Sequence, residues 1–190
     1  MPVPLPGQRL VYAWPGPPSL ELWTEEVTRN GRSWLQHRLV AEHGTPGVVI
    51  VAVADGHFAM VEHFRPAAGR SFLEFPRGFG SPAGPGTDQE PALHDAGREL
   101  EEETGLQGTR FRVLGSVWAD SSLLQGHAVV VGAAVARSAK PLARDGEIDK
   151  FRWVPVESFP DLMAAGEIAD GLTLSAYAFW TAAGPPAGST

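Results

Sequence analysis

Glu99, Glu102 and Glu103 fall close together near the end of one stretch, Gly84 to Leu106, which reads G-P-G-T-D-Q-E-P-A-L-H-D-A-G-R-E-L-E-E-E-T-G-L. Residues three and four apart are neighbours on a helix, so a helical stretch gathers these carboxylates on one face. Like charges held that close repel one another unless a cation sits among them. A donor set made only of oxygen favours a hard divalent ion such as Mg2+ or Mn2+. Arg98 stands where it can orient Glu102 from i to i+4, or reach back to Glu90. A solvated acidic helix face has the same look, and E-x-x-E-E alone does not separate the two readings.

The neighbouring residues supply the helix. Glu90 and Pro91 suit a helix start, because an acid complements the dipole and proline tolerates the first turn. Leu93, Ala96 and Leu100 recur at helical spacing as a buried stripe, with the three glutamates expected opposite. Gly105 is placed to end the helix in the left-handed conformation, so the helix is expected over about 90–104.

With its flanks, the stretch resembles the Nudix box, G-x5-E-x7-R-E-U-x-E-E-x-G-U with U apolar. Gly84, Glu90, Arg98, Glu99, Leu100, Glu102, Glu103, Gly105 and Leu106 stand at its specified positions. Relatives that act on ADP-ribose read E-x-P-x-G, and its glycine is the box's first residue. The matching segment here, E-F-P-R-G, is Glu74 to Gly78, which makes Gly78 the equivalent and Ser81 to Gly86 an inserted Pro/Gly loop. His63-Phe64-Arg65-Pro66 is similar to Q-Y-R-P of the same branch, Trp153-Val154-Pro155 to its W-V-P step, and Gly166 to Thr173 to its G-x-I-x-D-x-x-T stretch.

The resemblance implies an α/β protein with the Nudix fold, an α/β/α sandwich around a mixed sheet, preceded by an N-terminal antiparallel hairpin or sheet. It implies Mg2+, with Mn2+ as a substitute, held by Glu99, Glu103 and Glu102, with the backbone carbonyl of Arg77 as a further ligand. Arg65 and the Arg77 guanidinium are expected to bind substrate phosphate, since a guanidinium fork matches phosphate oxygens. Glu102, Arg98 and Glu147 are expected to serve catalysis, with Asp145 and Asp149 as rivals to Glu147 for a base in the late loop. The expected partner is a small nucleotide sugar, and the N-terminal sheet is expected to pack against a second copy in a homodimer.

Composition sets outer bounds. A protein of 190 residues with 43% hydrophobic content can fill one domain. No apolar run reaches the length of a membrane span, and no leader pattern is visible. The absence of cysteine excludes disulfides and thiolate chemistry and fits the cytoplasm. A net charge of −7 argues against nucleic acid as partner. Residues 1–17, rich in proline, are expected to form an irregular arm, 18–183 a single domain, and 184–190 a disordered tail.

Periodicity predicts the elements that position the site. Leu20 to Thr28 and Ser33 to Ala41 alternate and flank an Asn30-Gly31 turn, which reads as a hairpin. Val48 to Ala54 is a continuous β-branched run expected as a central strand, with Asp55-Gly56 turning into Phe58 to Phe64. Strands follow at Arg110 to Trp118, His127 to Ala136 and Phe151 to Val156, then helices from Ser158 to Ala165 and from Thr173 to Ala183. Trp14, Trp23 and Trp34 could stack a purine or pack in a core or interface. His127, on an apolar strand, reads as structural.

Two classes of function remain from sequence. One is a Mg2+-dependent pyrophosphohydrolase of nucleoside diphosphate sugars, with ADP-ribose leading and other diphosphate-linked compounds or nucleoside triphosphates as alternatives. The other is a non-catalytic Nudix-fold sensor, against which the intact carboxylate set speaks. Ala119-Asp120-Ser121-Ser122 departs from the prolines that ADP-ribose-cleaving relatives carry after the post-box strand, which leaves the sugar open.

Overall fold

A computed structural model describes residues 7–81, 89–137 and 150–184. Two sheets carry the architecture. The N-terminal sheet contains β1 (Gln8–Trp14), β2 (Leu20–Arg29) and β3 (Arg32–Ala41), all antiparallel, with the two-residue β9 (Leu124–Gln125) added parallel to β3. The larger, mixed sheet has the order β11 (Lys150–Pro155), β5 (His57–Arg65), β4 (Gly47–Ala54), β10 (Ala128–Val135) and β8 (Gly108–Val117). Two short strands complete it, β6 (Arg70–Glu74) on β5 and β7 (Arg77–Phe79) on β4.

Both hairpin turns follow from sequence. Asn30-Gly31 and Asp55-Gly56 each have φ positive at both residues, 53° and 71° in the first, 45° and 69° in the second. That geometry suits the right-handed twist of the flanking strands, and Asn, Asp and Gly adopt it at least cost. β4 pairs with β10 in parallel, as two continuous apolar runs buried on both faces should.

The alternating side chains of β4 feed two cores. Val49 and Val51 pack on one face with Phe58, Phe75, Phe159 and Ala176, covered by α2 (Phe159–Ala164) and α3 (Gly171–Ala183). Val48, Ile50 and Ala52 pack on the other with Ala92, Ala96, Leu100 and Leu106, covered by α1 (Gln89–Thr104). This is the expected α/β/α layering. The first core is aromatic: Phe58 meets Phe75, Phe159 and Trp180 edge-on, with centroids 5.2, 5.4 and 4.9 Å away. The second is aliphatic, and fully burying Leu100 there is worth about 1.5–3 kcal/mol.

Several expectations need correction. Residues 8–14 are not an irregular arm but β1, paired with β2 from Gln8↔Glu25 to Trp14↔Leu20. The prolines bracket this segment without entering it, and L-V-Y-A-W is β-prone. The bends after β5 and β8 also hold more order than periodicity could reveal, because β6, β7 and β9 are too short to show a pattern. Residues 1–6 and 185–190 lie outside the described residues, as do Gly84 in the inserted loop and Asp145, Glu147 and Asp149 in the late loop. None of the described helices is long and apolar enough to cross a membrane.

Candidate active site

α1 presents the carboxylates, but not on a single solvent face. Ala92, Ala96 and Leu100 form the buried stripe, and Glu103 is buried beside it at 5% exposure. Leu93, expected in that stripe, is only partly buried. Glu99 and Glu103, one turn apart, face β7, whereas the Glu102 side chain is about half exposed. The expectation of three equivalent glutamates opposite the core is therefore corrected. At 100° per residue Glu103 falls near the azimuth of Ala96, and Glu102 lies farther round. Gly105 closes the helix at φ +69° and donates its N–H to the Glu101 carbonyl, 2.8 Å away.

β7 stands against this carboxylate edge. Gly78 lies tight against Glu99: a Cβ there would overlap the Glu99 carboxylate and force it to move. Ile50 N–H donates to the Pro76 carbonyl at 2.8 Å, which makes that pair hydrogen-bonded and the next pair, Val49↔Arg77, the open one. At an open pair both N–H and C=O point away from the partner strand. The Arg77 N–H accordingly donates to Glu103 Oε2 at 3.1 Å, and its carbonyl faces the same way.

Arg98 organises the outer side. It contacts Glu99 Oε1 and Glu102 Oε2, each at 2.8 Å, and donates to the Phe79 carbonyl at 3.0 Å. Of the two partners expected from spacing, Glu102 is found; Glu90 is not among the contacts seen. Burial tends to lower the Arg98 pKa, but Glu99 and Glu102 outweigh it and hold the guanidinium above its ordinary value. Glu99 is pushed above the ordinary carboxylate range, first by burial and then by Glu102 and Asp95, with Arg98 acting against them. Among the described residues, no three His, Asp or Glu side chains are gathered closely enough to hold an ion as they stand. The donors nonetheless suit a hard cation: Glu99 lies against Gly78 and Glu103 against the Arg77 N–H of β7, and both carboxylates offer only oxygen.

Sequence reasoning passed over the residues that tie this region together. Glu74, fully buried, receives Arg65 Nε at 3.1 Å and Nη2 at 2.5 Å, and Arg77 Nε at 2.9 Å. Asp170 receives Arg77 Nη2 at 3.4 Å and caps α3 by accepting the Thr173 N–H at 2.8 Å. Asp95, buried on α1, accepts from both the N–H and hydroxyl of Ser81, each at 2.7 Å. The motifs E-F-P-R-G and G-x-I-x-D-x-x-T contain Glu74 and Asp170, so the signal was present without the partners. Nothing in the sequence pairs Asp95 with Ser81.

Arg65 and Arg77 are therefore neither exposed nor unpaired, yet both line one cavity of about 320 Å³. Its walls come from both sheets and α3: Leu20 and Leu39 from the N-terminal sheet, Phe79, the Leu124–Ala128 segment, and Leu172. Most of that lining is apolar, with the two guanidinium groups supplying positive charge. His127 lies at the wall with its ring 4.9 Å from the exposed Trp118. Of the other tryptophans, Trp23 is buried, with its Nε1 donating to Glu21 at 2.7 Å, while Trp14 and Trp34 lie exposed on the N-terminal sheet.

Known proteins share both the sequence pattern and the fold. The NUDIX domain model matches residues 43–173. An ADP-ribose pyrophosphatase of Mycobacterium tuberculosis is 31% identical over 145 residues, covering 73% of this chain and 65% of that protein's length. The match thus spans slightly under two thirds of that curated relative. A solved structure described as an ADP compounds hydrolase superposes with a TM-score of 0.65 at 18% identity, over 94% of each protein, which speaks to the fold alone. With the domain match covering well over half the sequence, and box helix, β7 and mixed sheet in place, the protein belongs to the Nudix family.

Proposed function

We propose that this protein is a Mg2+-dependent pyrophosphohydrolase that cleaves the diphosphate of a nucleoside diphosphate sugar, with ADP-ribose first, to AMP and ribose 5-phosphate. The cavity carries this reading. It is lined by Arg65 and Arg77 and adjoins β7, the strand against which Glu99 and Glu103 are packed. The apolar remainder of the cavity suits a base or sugar, and the cationic end suits phosphate. The similarity to an ADP-ribose pyrophosphatase points to the same substrate class.

A divalent ion at this site would neutralise the diphosphate oxygens and lower the pKa of water. Glu99 and Glu103 would hold it, with the Arg77 carbonyl and Glu102 as further donors. Arg65 and Arg77 hold the phosphate oxygens and fix the scissile bond. Arg98 keeps Glu102 extended beside Glu99, where Glu102 can take a proton. Glu147 remains the other proposed base; it lies in the late loop outside the described residues. The protein has no cysteine and no recognisable serine or threonine nucleophile, so a covalent intermediate is not part of the reading.

The test is a substrate panel led by ADP-ribose, with Mg2+, Mn2+ or chelator, read by product identity in isotopically labelled water. AMP and ribose 5-phosphate, formed only with metal and labelled on phosphate, are expected. Release of free adenine, or products without label on phosphate, would refute diphosphate cleavage, and ADP-ribose bound without turnover would favour a sensor. We further propose a cytoplasmic homodimer joined through the N-terminal sheet. Leu10, Tyr12 and Trp14 of β1 and Trp34 and Leu35 of β3 are exposed there, an apolar surface of the kind that marks an interface. Light scattering that gives a monomer at micromolar concentration would refute it.

A further inference from the structure

We infer that Glu74 is a positioning residue: it aligns Arg65 and Arg77 as a paired cradle for the substrate's phosphates, an inference that rests on the function proposed above. Glu74 is fully buried, at 0% exposure, and ends β6 opposite Val61 of β5. It takes two of the three nitrogens of Arg65 and the Nε of Arg77. Asp170 takes Nη2 of Arg77. The hydrogen bonds seen for both arginines run through Nε and Nη2, and both arginines line the same cavity. The pair reaches there from different strands, β5 and β7, and among the described residues Glu74 is the carboxylate bonded to both guanidinium groups.

The strands do not need Glu74 to hold them. β6 is already paired to β5 over five residues and tied to α3 by the Phe75 N–H donated to Thr173 Oγ1 at 3.2 Å. A buried carboxylate is costly, and an apolar side chain of similar size would fill the space but deprive two partly buried guanidinium groups of their counter-charge. What an apolar side chain cannot do is hold two guanidinium planes. Burial works to lower the Arg65 pKa, but Glu74, with Glu103 and Asp170, outweighs it and keeps the group firmly cationic. An arginine locked in this way loses little rotamer freedom when an anion arrives.

Substitutions can separate position from charge. Glu74→Asp keeps the charge and withdraws it by one methylene, so it can no longer span both arginines. Glu74→Gln keeps the length but offers a single acceptor oxygen, and its amide N–H groups face guanidinium donors. The probe is α,β-methylene-ADP with Mg2+, its binding measured by calorimetry beside thermal unfolding and ADP-ribose kinetics. Both variants should bind the probe at least about tenfold more weakly and raise KM more than they lower kcat. The double variant Glu74→Gln/Arg77→Met should bind no worse than Arg77→Met alone, because the cradle is already broken.

Wild-type affinity in Glu74→Asp, or tighter binding in Glu74→Gln, would show that Glu74 only neutralises charge and would overturn the inference. Additive losses in the double variant would do the same. If Glu74→Gln fails to fold, Glu74→Asp and Arg65→Lys, which shortens the fork from the other side, carry the same expectation of weaker binding. Wild-type protein that binds the probe but does not turn over ADP-ribose would remove the proposed reaction and leave the cradle standing. Wild-type protein that does not bind it would remove the cradle.

Discussion

Gly78→Ala should nearly abolish activity while leaving the fold intact. Gly78 does not use the left-handed backbone region, so alanine meets no strain in the backbone itself. Its Cβ would instead overlap the Glu99 carboxylate, and real Cβ atoms essentially never come within 3.0 Å of another atom. The carboxylate is the end of a flexible side chain and can swing aside. That sacrifices the partly exposed Arg98–Glu99 pair, worth roughly 0.2–1 kcal/mol, and can add an off-rotamer cost of about 0.5–1.5 kcal/mol. For a protein of this length about 1 kcal/mol corresponds to about 2–4 °C, so Tm should fall by roughly 1–10 °C. Catalysis is less forgiving. A displacement of about 1 Å in a positioning group costs about 10²-fold, or about 2.7 kcal/mol of barrier. The assay is kcat/KM on ADP-ribose across a Mg2+ titration, with thermal unfolding run in parallel. A large loss of kcat/KM, a higher Mg2+ requirement and a Tm lowered by no more than about 10 °C are expected. Turnover within about twofold of wild type would refute the placement of Glu99 as a ligand.

Glu103→Gln should lower kcat by about 10² or more, with little change in Tm, because glutamine can still accept the Arg77 N–H but loses the ligand charge; steady-state kinetics at saturating Mg2+ would check it, and near-wild-type turnover would refute it. Glu99 should make the effect of metal pH-dependent. Its folded pKa is raised above the ordinary 4.5, so in the metal-free protein its contribution to stability is present at low pH and lost as pH rises through the elevated value. A cation takes only the ionised form, so the gain in Tm from Mg2+ should be larger at about pH 8 than at about pH 5, and an equal gain at both would refute it. Asp95→Ala should remove the two hydrogen bonds that tie the exposed Ser81 to α1, at about 0.5–1.5 kcal/mol each, and lower Tm by roughly 2–12 °C in calorimetry.

What depends on local spacing was legible in the sequence. The box helix, its Gly105 cap, the Asn30-Gly31 and Asp55-Gly56 turns and the buried β4 and β10 all arise from residues within a few positions of one another. Such features are set by backbone preference and hydrophobic period, which a linear reading can see. The family motifs likewise named Glu99, Glu102, Glu103 and Arg98 before any contact was known. How those residues differ is a matter of tertiary packing. Glu103 is drawn to the buried edge by the Arg77 N–H, Glu102 stays outside with Arg98, and Gly78 is required by where Glu99 lies. Packing also turned two arginines expected to face substrate unaided into partners of the buried Glu74, nine and three residues away in sequence. These outcomes depend on which strands lie side by side and which guanidinium finds a carboxylate in low dielectric. They are decided by long-range contacts, where the partner's position in the sequence carries no information about its position in space.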